Sequence, residues 1–241
     1  MWRSHWNQRH ALGGRRLTYA ILVAMTFFAA LPYGAVNRLA YYRDLVAFDP
    51  TIQLDLDMPF IAWMIVPYLT LYFYYPAAAW LGSVNDTMWR QNVIFHQMML
   101  ITCWWVCVVF VLLPVEIDLR HLIVGIEGTA WEPWYEFLHG ADKPWNSWPS
   151  LHIVQSTQVV LILRYWYPPS TQRMKLIHGF LLIMWFLLVL STMTIKQHYI
   201  WDVATALLLT GLAWKYWMKP NLEALETKEA QNAFDTLMQQ D

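Results

Sequence analysis

The run VIFHQMMLITCWWVCVVFVLLP, residues 93–114, decides the fold class, because no Asp, Glu, Lys or Arg interrupts it. About 20 such residues are what a helix needs to cross the hydrocarbon core of a bilayer. Working outward, five further apolar stretches meet the same reading: 17–36, 60–81, 151–167, 176–195 and 200–218. The expectation is an all-α polytopic membrane protein with six transmembrane helices over 17–218. A basic cytoplasmic segment, 1–16, would precede it, and a polar cytoplasmic tail, 219–241, would follow. The stretch 151–167 is the shortest, with Arg164 near its end able to snorkel to the interface. Pro32, Pro67 and Pro76 should kink the first two spans, which membrane helices tolerate when neighbours satisfy the freed backbone groups.

Composition agrees. Of 241 residues, 58% are hydrophobic and 14% charged, against about 25% charged in a soluble domain. The 16 Trp and 13 Tyr suit two interfacial belts. A net charge of -1 gives no sign of a nucleic-acid partner. Cys103 and Cys107 stand four apart in the apolar run and read as small hydrophobes, lacking the spacing of a disulfide framework or a zinc site.

Arg3, Arg9, Arg15 and Arg16 precede the first stretch, but its length and the lack of an A-x-A-like end favour a retained helix over a cleaved signal. With six spans, both termini share a side. The terminus, the 82–92 and 164–175 turns and the tail, with Lys215 at the end of the last stretch, hold eleven of the 16 basic residues, so the positive-inside rule places them in the cytoplasm. The loops 37–59 and 115–150, rich in acid from Asp44 to Asp142, then face outward. The tail is expected to form a short surface helix or to fray.

Two polar clusters interrupt this pattern: Trp148-Pro149-Ser150-Leu151-His152, and Ser191-Thr192 followed by Lys196-Gln197-His198-Tyr199-Ile200-Trp201-Asp202. The alternation of spans brings both to the outward interface. Pro149 and Ser150 stand where a helix starts, and free N–H groups there favour an anion such as phosphate. His198 and Asp202 are four apart, so a helix reaching back to His198 would place them within hydrogen-bonding reach. A carboxylate on one ring nitrogen leaves the other free to attack. His152 is then the acid for the leaving alcohol. Lys196 and Lys143 are candidate phosphate cations, and Ser150, Ser191 and Thr192 candidate hydroxyl donors. Trp145, Trp148, Tyr199 and Trp201 are available to wall a pocket. His96, His121, His139 and His178 read as structural. The scheme asks for no metal and no cofactor.

These clusters resemble the type 2 phosphatidic acid phosphatase (PAP2) superfamily, whose second and third signatures are P-S-x-H and S-R-x5-H-x3-D. Pro149-Ser150-Leu151-His152 meets the first of these, and Ser191, His198 and Asp202 meet the spacing of the other. The flanks Asp142-Lys143-Pro144-Trp145-Asn146 and Lys196-Gln197-His198-Tyr199 are similar to the inositol phosphoceramide synthase-like branch. The resemblance covers roughly residues 90–215. It implies a six-helix bundle, a phosphohistidine at His198 oriented by Asp202, and His152 as acid and then base. Two features depart from the pattern: no K-x6-R-P occurs, and Thr192 stands where Arg is usual.

The expected activity is a lipid phosphatase at the non-cytoplasmic face, of a bacterial inner membrane for instance, with a lipid phosphate and the bilayer as partners. A lipid phosphotransferase shares its first half-reaction. A non-catalytic transporter or lipid-binding membrane protein, with His and Asp as a proton relay, is the reading from another class.

Overall fold

The computed structural model describes residues 2–43 and 47–239; Asp44, one of the loop acids above, lies outside them. The described residues are all-α apart from one isolated bridge, Glu116 to Trp145. The expectation of six membrane-crossing helices does not hold. Among the described residues, three helices are long and apolar enough to cross: Arg16–Tyr42, Asp86–Leu112 and Gln172–Thr194, of 27, 27 and 23 residues.

The other stretches fail for identifiable reasons. Over 60–81 the chain breaks into a 3-10 turn, Ala62–Met64, and two helices, Ile65–Leu69 and Leu71–Leu81. The longer of these has 11 residues, about 17 Å of rise against a core of about 30 Å. Leu151–Trp166 has 16 residues, about 24 Å of rise, and buries Gln155, Ser156, Thr157 and Gln158 at its centre. Ile200–Ala213 has 14 residues and carries Asp202 before passing into a π-helical turn, Trp214–Met218. An apolar run does not reveal whether its residues meet lipid or protein. The Leu151–Trp166 run meets protein: Ile153, Val154, Val159 and Val160 pack with Leu71, Phe95, Met98, Leu188, Val203 and Ala206 in one core.

The three long helices carry much of the outward apolar surface, including Phe27, Phe28, Trp104, Trp105, Leu112, Phe180, Ile183 and Phe186, and Phe73 and Leu208 on shorter helices add to it. The chain is thus a membrane-associated α-helical protein. Pro32 does not end the first of these helices. Its missing N–H frees the Phe28 carbonyl, the helix widens into a π turn over Thr26–Ala30, and the Trp104 indole donates to Phe28 O at 2.6 Å. Cys103 and Cys107 are buried and free, as small hydrophobes.

One end of the molecule is closed by the termini. Trp6 packs edge-on against Phe234 at 5.0 Å, Arg9 pairs with Asp86 at 3.2 Å, and Arg90 holds Asp235 through two bonds of 3.0 and 2.6 Å. The tail is therefore a docked helix, Lys228–Gln239. The glycine at 82 is required there, because a Cβ would stand 2.4 Å from the Trp166 ring.

The other end is built from loops. Asn37 holds Lys143 and Trp145 through three bonds of 2.9–3.0 Å, and Ile117 N donates to Pro144 O at 2.8 Å. Tyr199 OH accepts from Asp118 N and donates to Glu116 O, both at 3.0 Å. Buried Asp55 accepts from Ile52 N and Ile200 N at 3.0 and 2.8 Å. Residues far apart in sequence thus fix the 49–58 and 113–150 segments over the helix ends that carry the histidines.

Candidate functional site

The link between Gln172–Thr194 and Ile200–Ala213 is only five residues long and is shaped by its backbone. Lys196 takes φ 61°, the left-handed conformation that usually calls for glycine after a helix. Its N–H donates to Met193 O at 3.0 Å and that of Gln197 to Thr192 O at 2.9 Å, which closes the helix. The His198 N–H also reaches Thr192 O, at 3.0 Å, so the turn delivers His198 in a fixed place.

The helix beyond starts at Ile200 rather than His198. Asp202 makes the expected contact by another route, as the third residue of that helix folding back over its start. Its Oδ2 accepts from Tyr199 N at 3.0 Å and meets His198 Nδ1 at 3.2 Å. Asp202 is fully buried, and His198 is 3% exposed. An acid in a first helical turn also faces the positive end of the helix dipole.

His152 stands two residues into Leu151–Trp166, after the cis Trp148–Pro149 peptide. Ser150 caps that helix, its Oγ accepting from Ile153 N at 3.4 Å, and its own N–H donates to Asp202 O at 3.3 Å. The two clusters are therefore bonded backbone to backbone. His152 Nδ1 lies 3.1 Å from His198 Nε2. With the Nδ1 proton of His198 given to Asp202, Nε2 carries the lone pair and His152 Nδ1 donates to it. The chain Asp202, His198, His152 is continuous.

The remaining candidates fall elsewhere. Lys196 Nζ donates to the carbonyls of Asp55 and Met58 at 3.0 and 2.6 Å, and burial lowers its pKa against the opposing pull of Asp55. The Ser191 and Thr192 hydroxyls donate back to Leu188 O and Val189 O of their own helix at 2.6 and 2.8 Å. Lys143 Nζ sits 5.4 Å over the Tyr41 ring. The structure brings none of these four side chains to the histidine pair. Ser150 does lie beside it, and because its oxygen accepts, its hydroxyl proton remains to be given.

Other polar groups gather there. Arg120 Nη2 donates to Asp142 O at 2.9 Å and Gln197 Oε1 at 3.0 Å, and the Gln197 amide donates to His139 Nε2 at 3.2 Å. Burial, and then Arg120, lower the His139 pKa to about 4, consistent with a ring that accepts there. Asp142 Oδ1 accepts from Tyr33 OH at 2.9 Å; burial raises its pKa, with Tyr33, Arg120 and His198 opposing. Asn146, Ser147, Trp148 and Asp202 each bury a side-chain polar atom with no protein partner. Such atoms are costly and suit water or ligand oxygens. Arg120 carried no motif signal, and Gln197 and Asp142 were visible only as flanking residues.

A cavity of about 490 Å³ opens on His152. Its polar end is formed by Tyr33, Arg38, Asp142 and His152, and its apolar end by residues such as Leu22, Met25, Ala29 and Leu71. Tyrosines 33, 68, 72 and 75 wall it, rather than Trp145, Trp148, Tyr199 or Trp201. Among the described residues no group of three or more His, Cys, Asp or Glu is placed to hold a metal.

Residues 124–223 match the PAP2 superfamily, a span that contains both clusters and excludes the Asp86–Leu112 helix. The match is to the superfamily at large and does not single out an inositol phosphoceramide synthase-like branch. No curated protein matches the chain.

Proposed function

We propose that this chain, which carries a PAP2-superfamily domain over residues 124–223, is a membrane-associated phosphatase that hydrolyses a lipid phosphate through a phosphohistidine at His198. The observation that carries the reading is the hydrogen-bonded sequence Asp202, His198, His152, open to a half-apolar cavity at His152. Asp202 holds the proton on Nδ1, leaving Nε2 to attack phosphorus. His152 takes up a proton as the anionic phosphate enters, and gives it to the alcohol oxygen as the P–O bond to the lipid alcohol breaks. Water, deprotonated by His152, then releases phosphate and restores His198. The 3.1 Å contact between the rings is a hydrogen bond, so phosphate must part them before attack.

The phosphate oxygens find donors at the start of the His152 helix. The N–H groups of Leu151 and His152 have no carbonyl of their own helix to meet, and the Ser150 hydroxyl is beside them. Arg38 at the cavity supplies a positive charge in place of the missing signature arginines. The apolar end of the cavity takes a lipid chain. The basic termini and the Arg90 turn pack at the far end of the Leu151–Trp166 helix from His152.

A phosphotransferase would use the same first half-reaction with an alcohol in place of water. Product identity separates the two. The purified protein, given a labelled lipid phosphate with and without an alcohol acceptor, is expected to release inorganic phosphate in both cases. A labelled alcohol ester as the main product would make it a transferase. His152→Ala should slow release by about 10²–10⁴-fold while helicity is retained. Undiminished turnover would remove His152 from the scheme.

A further inference from the structure

The polar end of the cavity holds two charges of opposite sign that the Asp202, His198, His152 chain does not use. Asp142 follows the Glu132–Ala141 helix, and its carboxylate accepts from the Tyr33 hydroxyl at 2.9 Å. Among the described residues it has no ion pair. Arg120 gives Nη2 to the Asp142 backbone carbonyl, not to the carboxylate. Arg120 is close enough to oppose the effect of burial, but its Nη2 is committed to that carbonyl and to Gln197, so the carboxylate keeps the capacity to pair with a cation arriving with a ligand.

The surroundings suit a cation. Tyr33, Tyr68, Tyr72 and Tyr75 line the same cavity and present electron-rich rings. His152 is in ring contact with two of them, its centroid 6.1 Å from Tyr33 and 5.6 Å from Tyr68. A phosphate at His152 and a cation at Asp142 would thus be separated by about one tyrosine ring. Arg38, on the same cavity and also without an ion pair among the described residues, provides the complementary charge for the anion.

We infer that the lipid acted on at His198 is zwitterionic, carrying near its phosphate an ammonium group that docks between Asp142 and the tyrosines. This rests on the lipid phosphate reading above. Two sources supply that chemistry: a phosphate monoester of an amino-alcohol lipid, and a phosphodiester with an ammonium-bearing headgroup. In both, the P–O bond to the lipid alcohol breaks, an N–P bond forms at His198, and water ends the cycle. The monoester yields inorganic phosphate. The diester yields the phosphate ester of the ammonium alcohol.

Binding tests this without turnover. Full-length His198→Ala protein in non-ionic detergent is titrated with two matched pairs, a long-chain amino-alcohol phosphate against its N-acetyl form, and dodecylphosphocholine against its 3,3-dimethylbutyl analogue. Loss of the positive charge is expected to weaken binding at least tenfold in one pair, and that pair identifies the source. Adding Asp142→Asn should abolish the difference, and Tyr68→Leu, which leaves the Asp142 to Tyr33 bond intact, should reduce it severalfold. Equal affinities within both pairs, or a preference that survives both substitutions, would overturn the inference. Phosphohistidine formation by wild-type protein is scored separately, so a failed preference with a labelled His198 rejects the zwitterion alone. A preference without label would support the ammonium site and reject the histidine chemistry.

Discussion

Two groups of polar side chains converge on the loop-covered end of this protein. Asp202, His198 and His152 form a chain of bonds at 3.2 and 3.1 Å, set by a five-residue link and a helix start. The second group, Arg38, Asp142, Arg120, His139, Gln197 and Tyr33, comes from separate segments, with bonds that span up to 109 residues, as from Tyr33 to Asp142. Local spacing sets the His198 to Asp202 half of the first group, and the fold brings His152 to it from 46 residues away. Only the completed fold assembles the second, and it draws the lysine of the motif into a different job.

Substitutions can sharpen that contrast. The largest effect is expected for His198→Ala, a loss of about 10³-fold or more in turnover with the helical spectrum unchanged. Asp202→Asn keeps shape but releases the tautomer, and should cost about 10²–10⁴-fold in kcat with little change in KM. A preserved kcat in either would dissolve the first group.

Lys196→Met should act on stability. Removing the ammonium from two buried carbonyls is expected to cost roughly 2–4 kcal/mol in detergent unfolding, with KM for the lipid within about twofold of wild type. A large KM rise at unchanged stability would return Lys196 to the phosphate. Acid offers a graded test of the second group. The folded His139 pKa of about 4 lies below the ordinary 6.5, so the unfolded chain binds the proton first. Its contribution to stability is complete above pH 6.5 and is lost as pH falls toward 4. The Tm of wild-type protein should therefore fall more steeply over that window than that of His139→Gln. The smallest effects are expected for Ser191→Ala and Thr192→Val, within about threefold in turnover, because both hydroxyls already serve their own helix.

The placement of the two histidines and Asp202 was more legible than the architecture around them. The all-α class and the His152, His198 and Asp202 set follow from apolar runs and spacing. The number of crossing helices does not, because the runs that hold Pro67 and Asp202 break into helices of 5, 11 and 14 residues, and the run that holds the Gln155–Gln158 polar centre packs against protein. Lys196 looked like a phosphate cation because spacing reports neighbours along the chain, whereas its partners, Asp55 and Met58, are 141 and 138 residues away. Arg120 carried no pattern at all. Its place depends on the bond to Gln197 across 77 residues. The contact between Asp202 and His198 was anticipated, but through a helical face. The helix start at Ile200 makes it through a folded-back first turn instead.

The most direct test of the central claim is capture of the covalent intermediate. Wild-type protein mixed with lipid labelled at its phosphate, and quenched in base within a turnover, is expected to carry an acid-labile, base-stable label on the peptide containing His198. The same label should be absent from His198→Ala and should accumulate when His152→Ala slows its hydrolysis. Turnover of the lipid with no label on His198 at any quench time would contradict the account.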